Sequence, residues 1–251
     1  MTAENDSQDR WSIQKPNPDQ FIWRYMDFTQ FISILQNKSM WFNRVDQFED
    51  PFEGKVPDNN YSTIQDRYAD TEIPQNKVKE ITDFLQLSKS ITFANCWHEN
   101  DYQSAAMWDL YLSNDQGIAV RSTPEQVKSA FDESQHSIIS GKVHYVDYDD
   151  ILLPENNLLS PAFFKRRSFE HENEIRFVFA RWDVITEDGQ TPLSDLPSGE
   201  YVSVDVDSLI DAVYVSPTSP DWFSDLVTDI VDEYNVDASI EHSDLYDEGM
   251  K

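Results

Sequence analysis

The chain has 251 residues, 47 acidic against 19 basic side chains and a net charge of −28, with a pI near 4.2. That balance excludes a nucleic-acid binder working through a general basic face. One cysteine, Cys96, excludes an internal disulfide framework and a multi-cysteine zinc site.

The first residues, MTAENDSQDRW, are polar and acidic, which reads against a signal peptide. Residues 1–20, with Pro16 and Pro18, read as a flexible polar arm. Phe21–Tyr25 (FIWRY) reads as a strand. Asp27 or Thr29 then caps a short helix with Phe28, Phe31, Ile32 and Leu35 on its apolar face. Met40–Phe42 is a second strand, and FEDPFEG at 48–54 is a turn set by Pro51 and Gly54. Residues 59–88 read as helical with a break near Pro74. Ser90–Trp97 is a buried strand, and Gln103–Leu112 is a helix with Ala106, Met107, Leu110 and Tyr111 at helical spacing.

Gln116–Arg121 is a strand, followed by Thr123-Pro124 as a helix start. Ser140–Tyr148 is a strand, 160–169 a helix, and Glu174–Ala180 (EIRFVFA) the most regular alternation in the chain. Strands at Tyr201–Val206 and Ala212–Ser216, a helix at Asp221–Glu233 and a strand near Val236–Glu241 follow, and 243–251 is an acidic tail. There is no regular βαβ rhythm. The pattern predicts one α+β domain over 21–242, a mixed, mostly antiparallel sheet flanked by helices. No run of roughly 18 apolar residues occurs, so no transmembrane helix and no membrane partner are expected.

Aromatic residues make up 13% of the chain, too many for a disordered acidic polymer. A folded protein this acidic repels itself unless salt screens it, so the composition points to the cytoplasm of a salt-accumulating cell. The charge is uneven. Residues 182–251 carry −17, whereas 163–181 (FFKRRSFEHENEIRFVFAR) carry +2. A basic island in such a chain is either an anion site or a set of internally paired bases.

FIWRY with the ILQN helix and MWF, then FEDPFEG, the CWH…MWDLY…GIAV stretch, KVHYVDY, FFKRRSFEHENEIR and VDVDSLIDAVYVSP resemble the domain of unknown function 2971 family. The resemblance runs from about Phe21 to about Ile240. The family pattern has Asn-Asp-Pro in the early turn where this chain has Glu49-Asp50-Pro51, so no amide role carries over. More distantly, the order of residues is similar to ADP-ribosyltransferases. Those proteins carry Arg or His on a first strand, a hydroxyl residue on a second element and a Glu on a late strand. Arg24 with Tyr25, then Thr92 or Tyr111, then Glu172-Asn173-Glu174 follow that order. The resemblance implies an enzyme that uses NAD as substrate.

Glu174 and Arg176 lie two apart on a strand and share a face, with Ile175, Phe177 and Phe179 on the other. Two readings stand: an exposed ion pair worth under about 1 kcal/mol, or a cleft in which Arg176 orients Glu174 or binds an anion. In NAD chemistry Glu174 would stabilise an oxocarbenium-like ribose. If the strand extends back, Glu172 faces the same way and would deprotonate an acceptor. Tyr111 or Thr92 would supply the middle hydroxyl, and Arg24 and Tyr25 would contact phosphate or ribose. Lys165, with Arg166 and Arg167, would hold a pyrophosphate, or the three would form a basic helix end. Cys96 and His98 share a side and suit either packing or a nucleophilic pair.

Phosphate loops of the GxGxxG and GxxxxGK[ST] types and the GxSxG elbow are absent, and no metal site is expected from the scattered histidines. No cofactor beyond NAD as substrate is expected. The partner is a nucleotide-like small molecule. A different class of function also fits: a non-catalytic binding module, accessory to a defence or regulatory system, with an unidentified protein partner.

Overall fold

The computed structural model describes residues 11–69, 71, 74–111, 115–153, 157–185 and 196–246. In chain order its regular elements are β1 (Ile22–Asp27), α1 (Phe28–Asn37), β2 (Ser39–Arg44), α2 (Asp58–Ala69), α3 (Gln75–Ile91), β3 (Thr92–Glu99), α4 (Ala105–Tyr111) and β4 (Gly117–Ser122). Then come α5 (Pro124–Ala130), β5 (Ile139–Lys142), β6 (His144–Val146), β7 (Phe164–Arg166), β8 (Glu174–Ala180), β9 (Gly199–Ser203), α6 (Val206–Leu209), β10 (Ala212–Val215), α7 (Asp221–Glu233) and β11 (Ser239–His242). The class is α+β with a mixed, mostly antiparallel sheet, as the sequence predicts.

The chain divides into two compact units, each drawn from three separated stretches. One takes in Pro16–Trp41, Cys96–Gln135 and Tyr201–Lys251. Here β1 runs antiparallel to β4 from Ile22↔Ser122 to Asp27↔Gly117, and meets β3 at Trp23↔His98. On its other edge β4 takes β10 antiparallel, and β10 takes β11 parallel. Alternation along β1 sends Trp23 and Tyr25 to one face, where Met107, Trp108, Ala119, Ala212 and Tyr214 close a core. Local signals set the helix ends. Asp27 precedes α1, with its backbone N–H donating to Gln30 Oε1 at 3.1 Å, and Thr123 Oγ1 accepts the Gln126 N–H at 3.2 Å to cap α5.

The other unit takes in Met1–Lys15, Phe42–Asn95 and His136–Glu200. Strands β2, β3 and β9 have residues in both units. In this unit β8 pairs with β3, and antiparallel with β5 at Gly141↔Arg176. A separate parallel pair joins β6 to β7 with Tyr145 opposite Lys165. Phe179 stacks on Phe93 and tilts against Phe42, while Val45, Val146, Tyr148, Phe163, Phe164 and Val178 form a second core. Buried Asn60 ties α2 to 151–153 by exchanging two hydrogen bonds with the Leu153 backbone at 2.9 Å each.

Four sequence expectations need correction. The helix at 160–169 is a 3-10 turn, the short β7 and a second 3-10 stretch, because Pro161 and the pairing with β6 override helical spacing. The strand at 140–148 breaks at Val143, whose N–H turns to the Glu174 carbonyl at 2.9 Å. Residues 11–15 are held in place: Trp11 packs on Phe164 and His144, and Gln14 O accepts the Lys142 N–H. At the other end Leu245 packs against the Trp23 core. Residues 1–10 and 247–251 of the expected arm and tail lie outside the described residues.

Candidate functional site

β8 is buried on both faces. Glu174 is 6% exposed and Arg176 0%, so the exposed ion-pair reading is overturned. Burying charge requires partners, and the partners come from three segments. Arg176 Nε donates to Glu174 Oε2 at 2.8 Å, Nη2 to Glu174 Oε1 at 3.0 Å, and Nη1 to the Ala162 carbonyl at 2.9 Å. Its Nη2 also pairs with Glu53 Oε2. Lys165 on β7 places Nζ 2.8 Å from Glu174, 2.7 Å from Glu172 and 3.2 Å from Glu53. Tyr145 on β6 accepts the Glu174 N–H at 2.8 Å.

Glu172 arrives by a different route from the expected one. The strand does not extend back to it. Glu172 ends the 3-10 stretch Arg167–Glu172, and Asn173 turns the chain through a left-handed conformation at φ 39°. The two carboxylates still meet at Lys165.

Glu53 and Asp50 come from the turn at 48–54. Asp50 accepts the Phe52 N–H at 3.1 Å and forks onto Arg166 at 2.9 and 3.0 Å. Arg166 also lies over Phe52 and Phe169, and Arg176 over Phe48. Gly54, at φ 66°, closes the turn where a side chain would collide with Val45. Four of the five bases of the island are internally paired: Lys165, Arg166 and Arg176 with this cluster, and Arg181 with Asp183 and Glu200, while Arg167 is exposed. Neither Lys165 nor Arg176 presents an open cation to a phosphate, because three carboxylates already surround them.

The electrostatics split the two glutamates of β8 and its approach. Burial lifts the Glu172 carboxyl to about 7, helped by the neighbouring Glu174 charge and opposed by Lys165. Burial also works against ionised Glu174, but Arg176 and Lys165 outweigh it and hold that carboxyl well below its ordinary range. Lys165 likewise stays charged, because Glu174 and Glu53 overcome its desolvation. Burial raises the Tyr145 and Tyr148 hydroxyls, so both remain protonated.

The remaining predicted residues lie elsewhere. Arg24 sits on β1, partly buried, with Nη1 donating to the Cys96 carbonyl at 2.6 Å; burial lowers its proton affinity, and Tyr111 exerts an electrostatic pull on it. Tyr25 is buried against Trp108, its hydroxyl accepts the Ser104 N–H at 2.8 Å, and burial pushes it up to about 12. Tyr111 ends α4 and is 49% exposed. Thr92 begins β3 in the other unit, buried, with Oγ1 donating back to the Ser88 carbonyl at 2.7 Å. Glu172, Glu174, Lys165 and Arg176 are thus brought together in one unit, and Arg24, Tyr25 and Tyr111 belong to the other.

Sequence reasoning missed Glu53, Asp50 and Tyr145. The available signal was the basic island itself, whose charges require acids from another segment. Among the described residues no group of three or more His, Cys, Asp or Glu side chains is arranged to hold a metal ion, and no helix is long and apolar enough to cross a membrane. A groove of about 450 Å³ between α2 and α3, lined by Ile64, Tyr68, Ile81, Phe84 and Leu158 among others, contains none of these charged groups.

No family model and no curated protein matches the chain. Three solved structures of Thermus sp. 2.9 DarT share some likeness with it. The complex with ADP-ribosylated ssDNA is 11% identical over 92% of this chain and 96% of that one, at a TM-score of 0.40. The complex with NAD+ is 10% identical over 92% and 98%, also at 0.40, and the complex with carba-NAD+ is 11% identical over 91% and 96%, at 0.35. A likeness this low fixes neither fold nor function.

Proposed function

We propose that the chain is an NAD-using enzyme of the ADP-ribosyltransferase kind, with Glu174 and Glu172 as its carboxylate pair. One observation carries the reading: two glutamates that share a single lysine are driven to opposite protonation behaviour. A pair of titratable groups pushed apart by their surroundings is the usual basis for dividing acid–base roles. Glu174, kept ionised, would stabilise positive charge on the ribose as the bond from C1′ to nicotinamide breaks and neutral nicotinamide departs. Glu172, which changes charge near neutrality, would take the proton from the acceptor as the acceptor's oxygen or nitrogen bonds to C1′. Arg176 and Lys165 act in this scheme by holding the carboxylates.

A second reading is favoured by a specific observation. Both oxygens of Glu174 already accept hydrogen bonds from Arg176 or Lys165. On that reading the cluster pins the 48–54 turn to β7 and β8, and the protein is a non-catalytic binding module.

The deciding experiment is nicotinamide release from NAD by purified protein in molar KCl, with Glu174→Gln and Glu172→Gln alongside and circular dichroism to confirm folding. Release by wild type and its loss in both folded variants supports the transferase. Folded wild type that neither binds nor cleaves NAD sinks it and leaves the binding module.

A further inference from the structure

Lys165 and Arg176 together with Glu172 and Glu174 would make a balanced set of two cations and two anions. Glu53 makes the third carboxylate, so Lys165 and Arg176 are shared among three. Each further carboxylate on a shared cation weakens that cation's hold on the others, and a turn that only needed an anchor would be served by the Asp50–Arg166 pair. The position of Glu53 is nonetheless well enforced. Pro51, the Glu53 N–H bond to the Asp50 carbonyl at 3.0 Å and left-handed Gly54 bring its carboxylate inward from a surface turn. There its two oxygens are divided, one to Lys165 and one to Arg176.

A proton on one member relieves the crowding of carboxylates, and accessibility decides which. The side chains of Glu53 and Glu174 are 4% and 5% exposed, and both touch Arg176; that of Glu172 is 13% exposed and pairs with Lys165. Glu172 therefore loses least by being neutral and exchanges protons with solvent most readily. The charged and titratable groups around it are Lys165 and Arg166 on β7, Glu174 and Arg176 on β8, Glu53 and Asp50 from the turn, Tyr145 on β6, and Arg167, Glu170 and His171 on its own 3-10 stretch.

We propose that Glu53 is a positioning residue acting through Lys165: by taking a share of that ammonium it weakens its hold on the Glu172 carboxylate, so that Glu172, and not Glu174, is the carboxyl that gains and loses the proton. The inference rests on the reading of Glu172 as the proton acceptor in transfer, but its main test needs no turnover.

The test is a carboxyl-carbon NMR titration of the full chain carrying ¹³C-labelled glutamate, with Glu172→Gln assigning the resonance. Glu53→Gln removes the third negative charge with little change in shape. It is expected to lower the Glu172 midpoint by about one unit or more, a tenfold loss of proton affinity. Glu49→Gln removes an equal charge from the exposed side of the same turn and is expected to leave the midpoint in place. Should the amide variant not fold, Glu53→Asp withdraws the charge by one methylene and is expected to shift the midpoint the same way by a smaller step. A Glu172 midpoint unmoved in either folded variant overturns the proposal, as does an equal shift in Glu49→Gln. A shifted midpoint without nicotinamide release by any form of the protein supports the role of Glu53 and removes the transferase reading. A shifted midpoint accompanied by a matching shift in the acid limb of release supports both.

Discussion

Glu172 and Glu174 converge on one ammonium, 2.7 and 2.8 Å from Lys165 Nζ, although left-handed Asn173 stands between them. Their separation by one residue is thus a contact made by a turn, and their proton affinities are shifted in opposite senses.

Replacing Glu172 tests one of those senses. Its carboxyl is raised in the folded chain from an ordinary 4.5 to about 7, so the folded state binds this proton more tightly than the unfolded state. The associated stability is fully present below about pH 4.5 and is lost as pH rises through 7. Glu172→Gln stays neutral at every pH. It is expected to match wild type at pH 4 and to exceed it at pH 8 by about 1–2 kcal/mol after solvent screening. Melting curves at the two pH values check this, and equal pH sensitivity in variant and wild type contradicts it. Glu174 works the other way: its lowered proton affinity stabilises the fold above the ordinary carboxyl range and fails as pH falls through the acid region.

Arg176 holds two carboxylates and a carbonyl while fully buried. Arg176→Gln leaves Glu53 and Glu174 with Lys165 alone, itself shared with Glu172, and is expected to cost about 3–5 kcal/mol. Arg176→Lys keeps the charge but lacks the forked donors, and is expected to fall between. Urea unfolding of both variants gives the order. Wild-type stability in Arg176→Gln would mean that the network contributes nothing to folding.

Gly54→Ala probes the turn that carries Glu53. A side chain there must adopt φ near 66° and displace Val45, an expected loss of about 1–3 kcal/mol. Because the strain falls next to Glu53, the Glu172 midpoint is expected to fall as well. Calorimetry together with the carboxyl titration measures both effects.

Thr123→Ala removes the cap of α5 in the other unit. About 1 kcal/mol of stability should be lost, with NAD cleavage unchanged at temperatures where the variant is folded. A fall in cleavage by the folded variant would show that α5 contributes to the reaction.

Much of the fold could be read from periodicity. Alternation identifies Glu174–Ala180 as a strand and puts Ile175, Phe177 and Phe179 in the core. The same alternation leaves open whether the Glu174–Arg176 face meets water or a cleft, since a two-residue period cannot distinguish a solvated face from one buried by mutual ion pairing. Glu53 was hidden for a related reason. The acid-rich turn FEDPFEG looks like surface, and only its match to the unanswered bases of 163–181 signals an inward carboxylate. The helix expected at 160–169 failed because Phe164 serves a strand against β6, opposite His144, as well as it serves a helix face.

The pairing of β4 with β10 has a consequence for synthesis. Val120 takes Val213 as its partner, about 90 residues later in the chain. At ribosomal rates of roughly 5–20 residues per second, that edge of Gly117–Ser122 waits on the order of 5–20 s for its neighbour. During that interval an apolar strand already able to pair with β1 offers a row of open backbone groups to any other nascent chain. Crowded polysomes making this protein are where its misassembly would begin, and the step most in need of a chaperone is the arrival of residues 212–215.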